Sequence, residues 1–382
     1  MATASLPYDD GERRAGLRHR LGATRRAGRG LFWPFLLSYV IAIGAIYQLI
    51  VSGGVWNLLG ITRLLYPLSQ SGVIAVTDAD EGFFHGLPDP KFYAYANDAV
   101  SWGLVALAAL LFIAVWALKS LQFHMLARFC GAEGPFGPHA RAYFYGRGIN
   151  RIMPFDIGKV AAASALEGQG VTLERAAQIV WLAGLFIVFE TVSYALYGLF
   201  SVGINGWLSM MAWPLIILAA SYMFVRVKKG EGGGPREWFV KARQAVRAIN
   251  TQPGLLLRLA VLSLVAFFLI EVAAYVISQA FTGRFVVINV AFKFVMMGVV
   301  GGYIARLIQV TPGGIGQWEW GFATAIYAGG LGMPESVALA VLVTLVRYTT
   351  GGLLMLALLL TRGVETSLPQ VLDVYNRPAE QA

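Results

Sequence analysis

An arginine in the middle of a long apolar run is the residue of this chain best equipped for chemistry. Arg347 stands between Glu335 and Leu360, too deep in apolar sequence to reach an aqueous surface easily. Ionisable groups at such a depth face a cavity or a partner, because hydrocarbon tolerates neither an unpaired charge nor an unsatisfied donor. A guanidinium presents a planar fork of donors that matches a phosphate, so the chemistry on offer is anion binding. Two readings stay open: Arg347 grips a headgroup, or it pairs internally with Glu319 or Glu271 and fixes packing. Glu190, Lys293 and Arg306 are the other ionisable residues in apolar surroundings. Lys293, Arg306 and Arg151 also fit plain interfacial positions.

Two stretches of backbone would position these groups. The first is Asn150-Arg151-Ile152-Met153-Pro154-Phe155-Asp156-Ile157-Gly158, followed by Lys159; the second runs from Gln309 through Pro312, Gly313, Gly314 and Gly316 to Glu319. Proline lacks the amide donor and glycine is entropically costly in a helix, so both stretches must break one. Inside a bilayer a broken backbone is tolerated only where protein or a water-filled cavity satisfies its freed amides and carbonyls. Opened helix ends near Gly158 and Gly316 offer backbone amides to the same anion that Arg347 would bind. The candidate substrate-binding set is therefore Asn150, Arg151, Pro154, Gly158, Lys159, Pro312, Gly313, Gly314, Gly316, Glu319 and Arg347. The alternative for the second stretch is a loop between two spans with Glu319 at the interface.

The surrounding chain belongs in a membrane. Of 382 residues 57% are hydrophobic and 13% charged, and the mean hydropathy is +0.62; soluble domains carry roughly 25% charged residues. Several uncharged runs approach the ~20 residues that cross a bilayer as helix, and no alternating barrel pattern is present. The fold class is all-α, a polytopic membrane protein. A net charge of +9 could indicate nucleic acid, but the cations sit at the ends of apolar segments and read as topology signals, so no nucleic-acid partner is expected. The single cysteine, Cys130, excludes a disulfide framework and a cysteine-based zinc cluster. Four scattered histidines form no ligand set, and neither a cofactor nor a metal is expected.

Residues 1–30 form a basic arm that stays cytoplasmic, and residues 31–98 comprise an anchor from about Leu31 to Val51 and an acidic extracytoplasmic loop. Residues 99–226 make a first transmembrane repeat, whose leading span reaches the cytoplasm at Lys119 and Arg128. A basic cytoplasmic linker (227–253), a second repeat (254–362) and a cytoplasmic tail (363–382) follow. Both repeats carry Pro-x-x-Ile-Gly, at Pro154–Gly158 and Pro312–Gly316, each followed by a short segment and a long span opening at Glu174 or Glu335. The first break enters from the cytoplasmic side and the second from outside. The repeats are thus expected to be inverted, with broken or re-entrant helices, an architecture many transporters share.

Asn150, Pro154 and Gly158, then Pro312-Gly313-Gly314-Ile315-Gly316 with Glu319 and Arg347, resemble the transmembrane region of lysylphosphatidylglycerol synthases, also described as a flippase-like domain. The likeness covers roughly Ala99 to Thr361, with Gly170 and Gly332 also at family-like positions. It implies an integral membrane protein that moves or handles an amphiphilic lipid. Asp156 and Lys159 depart from the family pattern, which commonly has an arginine and an acidic residue there, and a Glu-Arg pair usual in the next span is replaced by Ala183-Gly184. No segment resembling the soluble aminoacyl-transferase domain follows Arg362, so lipid aminoacylation is not expected.

The expectation is a transporter of an anionic phospholipid or lipid-linked headgroup in the cell inner membrane, multi-pass, with both termini cytoplasmic. Its partners would be membrane lipids, with a lipid-synthase partner and a homo-oligomer both possible. The alternative is a membrane enzyme or accessory subunit acting on a lipid-linked substrate, using Glu319 or the outer Asp78, Asp80 and Glu81.

Overall fold

A computed structural model describes residues 36–44, 101–228, 252–280, 291–331 and 333–362. The basic arm, the acidic loop with Asp78, Asp80 and Glu81, nearly all of the linker and the C-terminal tail lie outside the described residues. Of the expected anchor, residues 36–44 are helical.

Eight longer helices follow: α1 (Trp102–Phe129), α2 (Phe136–Ile152), α3 (Ile157–Glu167), α4 (Leu173–Lys228), α5 (Pro253–Ala280), α6 (Phe292–Ala305), α7 (Gln317–Ala328) and α8 (Met333–Arg362). Among the described residues there is no strand. Among the described residues four helices, α1, α4, α5 and α8, are long and apolar enough to cross a membrane. Only 22% of the apolar window of α1 is buried inside the protein; its outward Trp102, Leu107 and Leu110 are what a lipid-facing surface requires. The chain is a multi-pass helical membrane protein.

The order long, short, break, short, long occurs twice, as α1–α4 and α5–α8. α1 and α5, 28 residues each, form the largest helix pair, and they run antiparallel. The amide of Ser101, before α1, donates to the carbonyl of Ala280 at the end of α5 (2.9 Å). Further along, Gln122 of α1 donates to Ser263 (2.6 Å) and the Leu259 carbonyl (3.4 Å) near the start of α5. Each end of this pair holds its own core. Ala108 and Phe112 join Phe267, Met297, Phe322 and Val343 at one end, while Phe123 and Leu126 join Phe144, Leu166, Ile179 and Leu259 at the other.

The short helices pack as two tight hairpins, α2 on α3 and α6 on α7, and glycine sets the spacing in both. A Cβ on Gly158 would run into the Gly146 carbonyl, and one on Gly146 would lie 2.7 Å from the Ala162 Cβ. In the second hairpin a Cβ on Gly301 would lie 2.7 Å from the Gly321 carbonyl oxygen, and the reverse approach is 2.6 Å. Small residues at a helix crossing let the backbones approach closely, which in lipid is a main source of association. The glycine run from Gly298 to Gly302 is this packing face, with Gly302 against Trp318 and Gly298 against Ile326.

Two further features shape these helices. Within α4 two helices meet at Gly203, whose φ of 75° and ψ of 165° are not helical, and the chain turns back there, since the Trp207 indole donates to the Ala195 carbonyl (2.8 Å); Pro214 adds a site without an amide donor. Lys119 does not end its helix. It lies within α1, buried, and forms an ion pair with Glu190 of α4. The helix runs on through Ser120, Leu121 and Gln122 to Phe129, and a carboxylate across the interface supplies the partner of Lys119.

Candidate functional site at the junction of the two breaks

Both Pro-x-x-Ile-Gly stretches interrupt helices, and the interruptions touch one another inside the protein. α2 stops at Ile152 because Pro154 removes a donor, and Phe155 and Asp156 then take left-handed φ values of 59° and 57°. Non-glycine residues in that region cost about 1–3 kcal/mol each and persist only where the surroundings enforce them. Here Asn150 enforces them. Its amide nitrogen donates to Asp156 Oδ1 (3.3 Å), and its Oδ1 accepts from the Gly158 amide (3.2 Å). Lys159 closes the turn by an ion pair to Asp156 (2.9 Å), with its own side chain about half exposed.

The second break is built on glutamines. α6 ends at Ala305, a single 3-10 turn covers Pro312–Gly314, and α7 begins at Gln317. Gly313, Gly314 and Gly316 have φ of 64°, 72° and 84°, which L side chains rarely adopt. Gln317 Oε1 accepts from the amides of Val310 (2.9 Å) and Thr311 (3.2 Å). Its Nε2 donates to Ser221 (2.8 Å) and to the Ile308 carbonyl (3.0 Å). Glu319 caps α7: its Oε2 accepts from the Gly316 amide at 2.6 Å, while its Oε1 is buried without a partner. A polar amide on either side of the break thus satisfies backbone that the helix no longer serves.

Gln309 joins the two breaks. Asn150 Nδ2 donates to Gln309 Oε1 (2.8 Å), and Gln309 Nε2 donates back to the Asn150 carbonyl (3.0 Å). The Tyr348 hydroxyl donates to the Gly313 carbonyl, and a Cβ on Gly313 would sit 3.4 Å from Arg151 Cα. Of the candidate residues, Asn150, Arg151 and Gly313 therefore meet. Pro154, Gly158, Pro312, Gly314, Gly316 and Glu319 shape or cap the breaks, and Lys159 points outwards.

Beside this junction lies a row in which cations alternate with rings. Arg151 lies over Trp116 (5.4 Å) and Tyr348 (5.0 Å); Arg347 lies over Tyr348 (5.3 Å) and Trp318 (4.4 Å). Arg151 Nη1 donates to the Tyr348 carbonyl (3.1 Å). Arg347 is 4% exposed, yet neither Nη1 nor Nη2 has a partner among the described residues. The internal pairing with Glu319 or Glu271 does not form: Oε1 of Glu319 and both oxygens of Glu271 are also buried and unpartnered. The indole Nε1 atoms of Trp116 and Trp318, at the two ends of the row, are orphan donors as well.

Lys293 is exposed at the start of α6, over Phe294 (5.1 Å), whereas Arg306 folds against Gly314. Gln309, Gln317, Trp116, Trp318 and Tyr348 do not emerge from a sequence search for ionisable groups. Their signal is the placing of Gln309 and Gln317 on either side of the Pro-Gly-Gly turn. Among the described residues no group of three or more His, Cys, Asp or Glu is placed to hold a metal ion.

No curated protein and no solved structure matches the chain. A family model described as the lysylphosphatidylglycerol synthase TM region matches residues 94–356, a span that contains both breaks, both hairpins and Arg347. The chain therefore belongs to the lysylphosphatidylglycerol synthase transmembrane-region family.

Proposed function

We propose that this protein carries an anionic amphiphile, a phospholipid or a lipid-linked headgroup, between the leaflets of a membrane. One observation carries the reading: at the centre of α8, next to the contact between the two breaks, Arg347 holds two buried donors that no described residue satisfies. A buried guanidinium without an acceptor is strongly unfavourable, and the price is recovered when an anion occupies the site. Phosphate fits the fork in size, planarity of approach and charge. The acyl chains remain in lipid while the headgroup passes through protein.

The antiparallel course of α1 and α5 supports an inverted relation between the two halves. In that arrangement one hairpin opens to each leaflet, and rocking one half against the other would alternate access to the junction. The excess of Arg and Lys in residues 1–30 and 227–253 favours cytoplasmic placement of both segments, and with it an inner-membrane protein whose termini are cytoplasmic.

The test is reconstitution of the full chain into liposomes carrying fluorescent phosphatidylglycerol, with an impermeant reductant reporting the outer leaflet. Wild type should expose inner-leaflet lipid faster than protein-free vesicles. Arg347→Gln should fall to the protein-free rate while still unfolding cooperatively, its melting temperature shifted only by what the contacts with Trp318 and Tyr348 contribute. Undiminished translocation by Arg347→Gln would overturn the assignment.

A further inference from the structure

The balance of charge at the junction says more about the headgroup than its sign. Arg347 and Arg151 flank the same ring, Tyr348, at 5.3 and 5.0 Å. Arg151 also interacts electrostatically with Arg147 and Arg306. Four guanidinium groups are thus gathered at the ends of α2 and α6 and in the middle of α8. Of the carboxylates beside them, Asp156 is paired with Lys159 and also attracts Arg147 and Arg306, and Glu319 caps α7 through one oxygen while the other has no partner.

Like charges held this close repel, and in a site shielded from water the repulsion is poorly screened. One phosphodiester, with a single negative charge, relieves only part of it. The row of rings supports the cations without neutralising them, since the attraction of an aromatic face for a cation is worth about 0.5–2 kcal/mol. The donors left over are also too many for one charge: two on Arg347, with the indole N–H groups of Trp116 and Trp318 at either end of the row.

We propose that the site selects a lipid whose headgroup carries two or more negative charges, a phosphomonoester or a diphosphate, over phosphodiester and zwitterionic lipids. Arg347 binds one face of the phosphate group and Arg151 another. The proposal rests on the lipid-carrier reading above. Near neutral pH a phosphomonoester bears about 1.5–2 negative charges, which is what two guanidinium groups can meet with paired charge-assisted bonds. A zwitterionic headgroup would bring an ammonium group into a field already positive.

The test is equilibrium binding to the full chain in detergent. The probes are dioctanoyl phosphatidic acid, dioctanoyl phosphatidylglycerol, dioctanoyl phosphatidylcholine and inorganic pyrophosphate, each titrated by calorimetry. Phosphatidic acid is expected to bind at least about tenfold more tightly than phosphatidylglycerol, a difference of 1.4 kcal/mol, and phosphatidylcholine not at all. Arg151→Gln should bring phosphatidic acid down to the phosphatidylglycerol affinity and leave the latter within about twofold. Arg347→Gln should remove both, and Arg347→Lys, which keeps the charge, should restore binding in part. Equal affinity for phosphatidic acid and phosphatidylglycerol in wild type overturns the charge selectivity while leaving the carrier reading standing. Failure of every lipid to bind overturns the carrier reading itself. Pyrophosphate binding as tight as phosphatidic acid overturns the assignment to a lipid and makes the site one for a free anion.

Discussion

Asn150 and Gln309, 159 positions apart in the chain, exchange hydrogen bonds in both directions and tie the first break to the second. Asn150 also holds Gly158 and Asp156, so its loss leaves several buried polar groups unsatisfied at once. Asn150→Ala is expected to cost about 1–3 kcal/mol, above the ~0.6 kcal/mol average of interhelical bonds in a membrane protein. Gln309→Ala should cost a similar amount, and the double variant less than the sum of the two singles. Thermal unfolding in detergent reads all three; additive losses would mean that the two residues are not coupled.

The buried Lys119–Glu190 pair joins α1 to α4 within their apolar lengths. Lys119→Met alone strands a carboxylate and should destabilise by about 3–5 kcal/mol. Lys119→Met with Glu190→Leu should recover most of that loss, since two apolar groups replace two matched charges. A double variant as unstable as the single one would show that the pair supports something besides itself.

The glycine crossings make a sharper contrast. Gly158→Ala and Gly321→Ala each force a methyl group into opposing backbone and should destabilise by about 1–3 kcal/mol through overpacking. Gly184→Ala, in α4 with open space around its Cβ, should be neutral or stabilise by up to about 1 kcal/mol, because alanine favours helix. Melting temperatures of the three variants in one detergent check the order.

His139, at the start of α2 and 1% exposed, shares a hydrogen bond between ring nitrogens with His124 of α1 (Nδ1 to Nδ1, 2.8 Å). Burial, then His124 and Arg128, hold the His139 imidazole below its ordinary value. Its neutral form is the folded form, so its contribution is complete above the unfolded value of about 6.5. That contribution is lost as pH falls through the lower folded value, where the unfolded chain binds the extra proton. Stability should drop from pH 7 towards 5, and His139→Gln should flatten that slope. An equal slope in both proteins would place the acid sensitivity elsewhere.

The sequence by itself determined that the chain is helical, lies in a membrane and is interrupted at two places. Those properties are local: apolar runs long enough to span, cations at their ends, and proline or glycine where a helix cannot continue. The shared Pro-x-x-Ile-Gly spacing also marked where the polar residues had to be sought, and the apolar run from Glu335 to Leu360 placed Arg347 far from water. What faces what was decided only by the tertiary structure. That Arg347 avoids Glu319 and Glu271 and lies against Trp318, that Lys119 belongs to Glu190, and that Gln309 reaches Asn150 all depend on how α1 and α5 set the two hairpins end to end. A pairing between residues so far apart in the chain carries no periodicity and no local preference. It exists because each buried donor or acceptor must find whichever partner the packing of helices brings within reach.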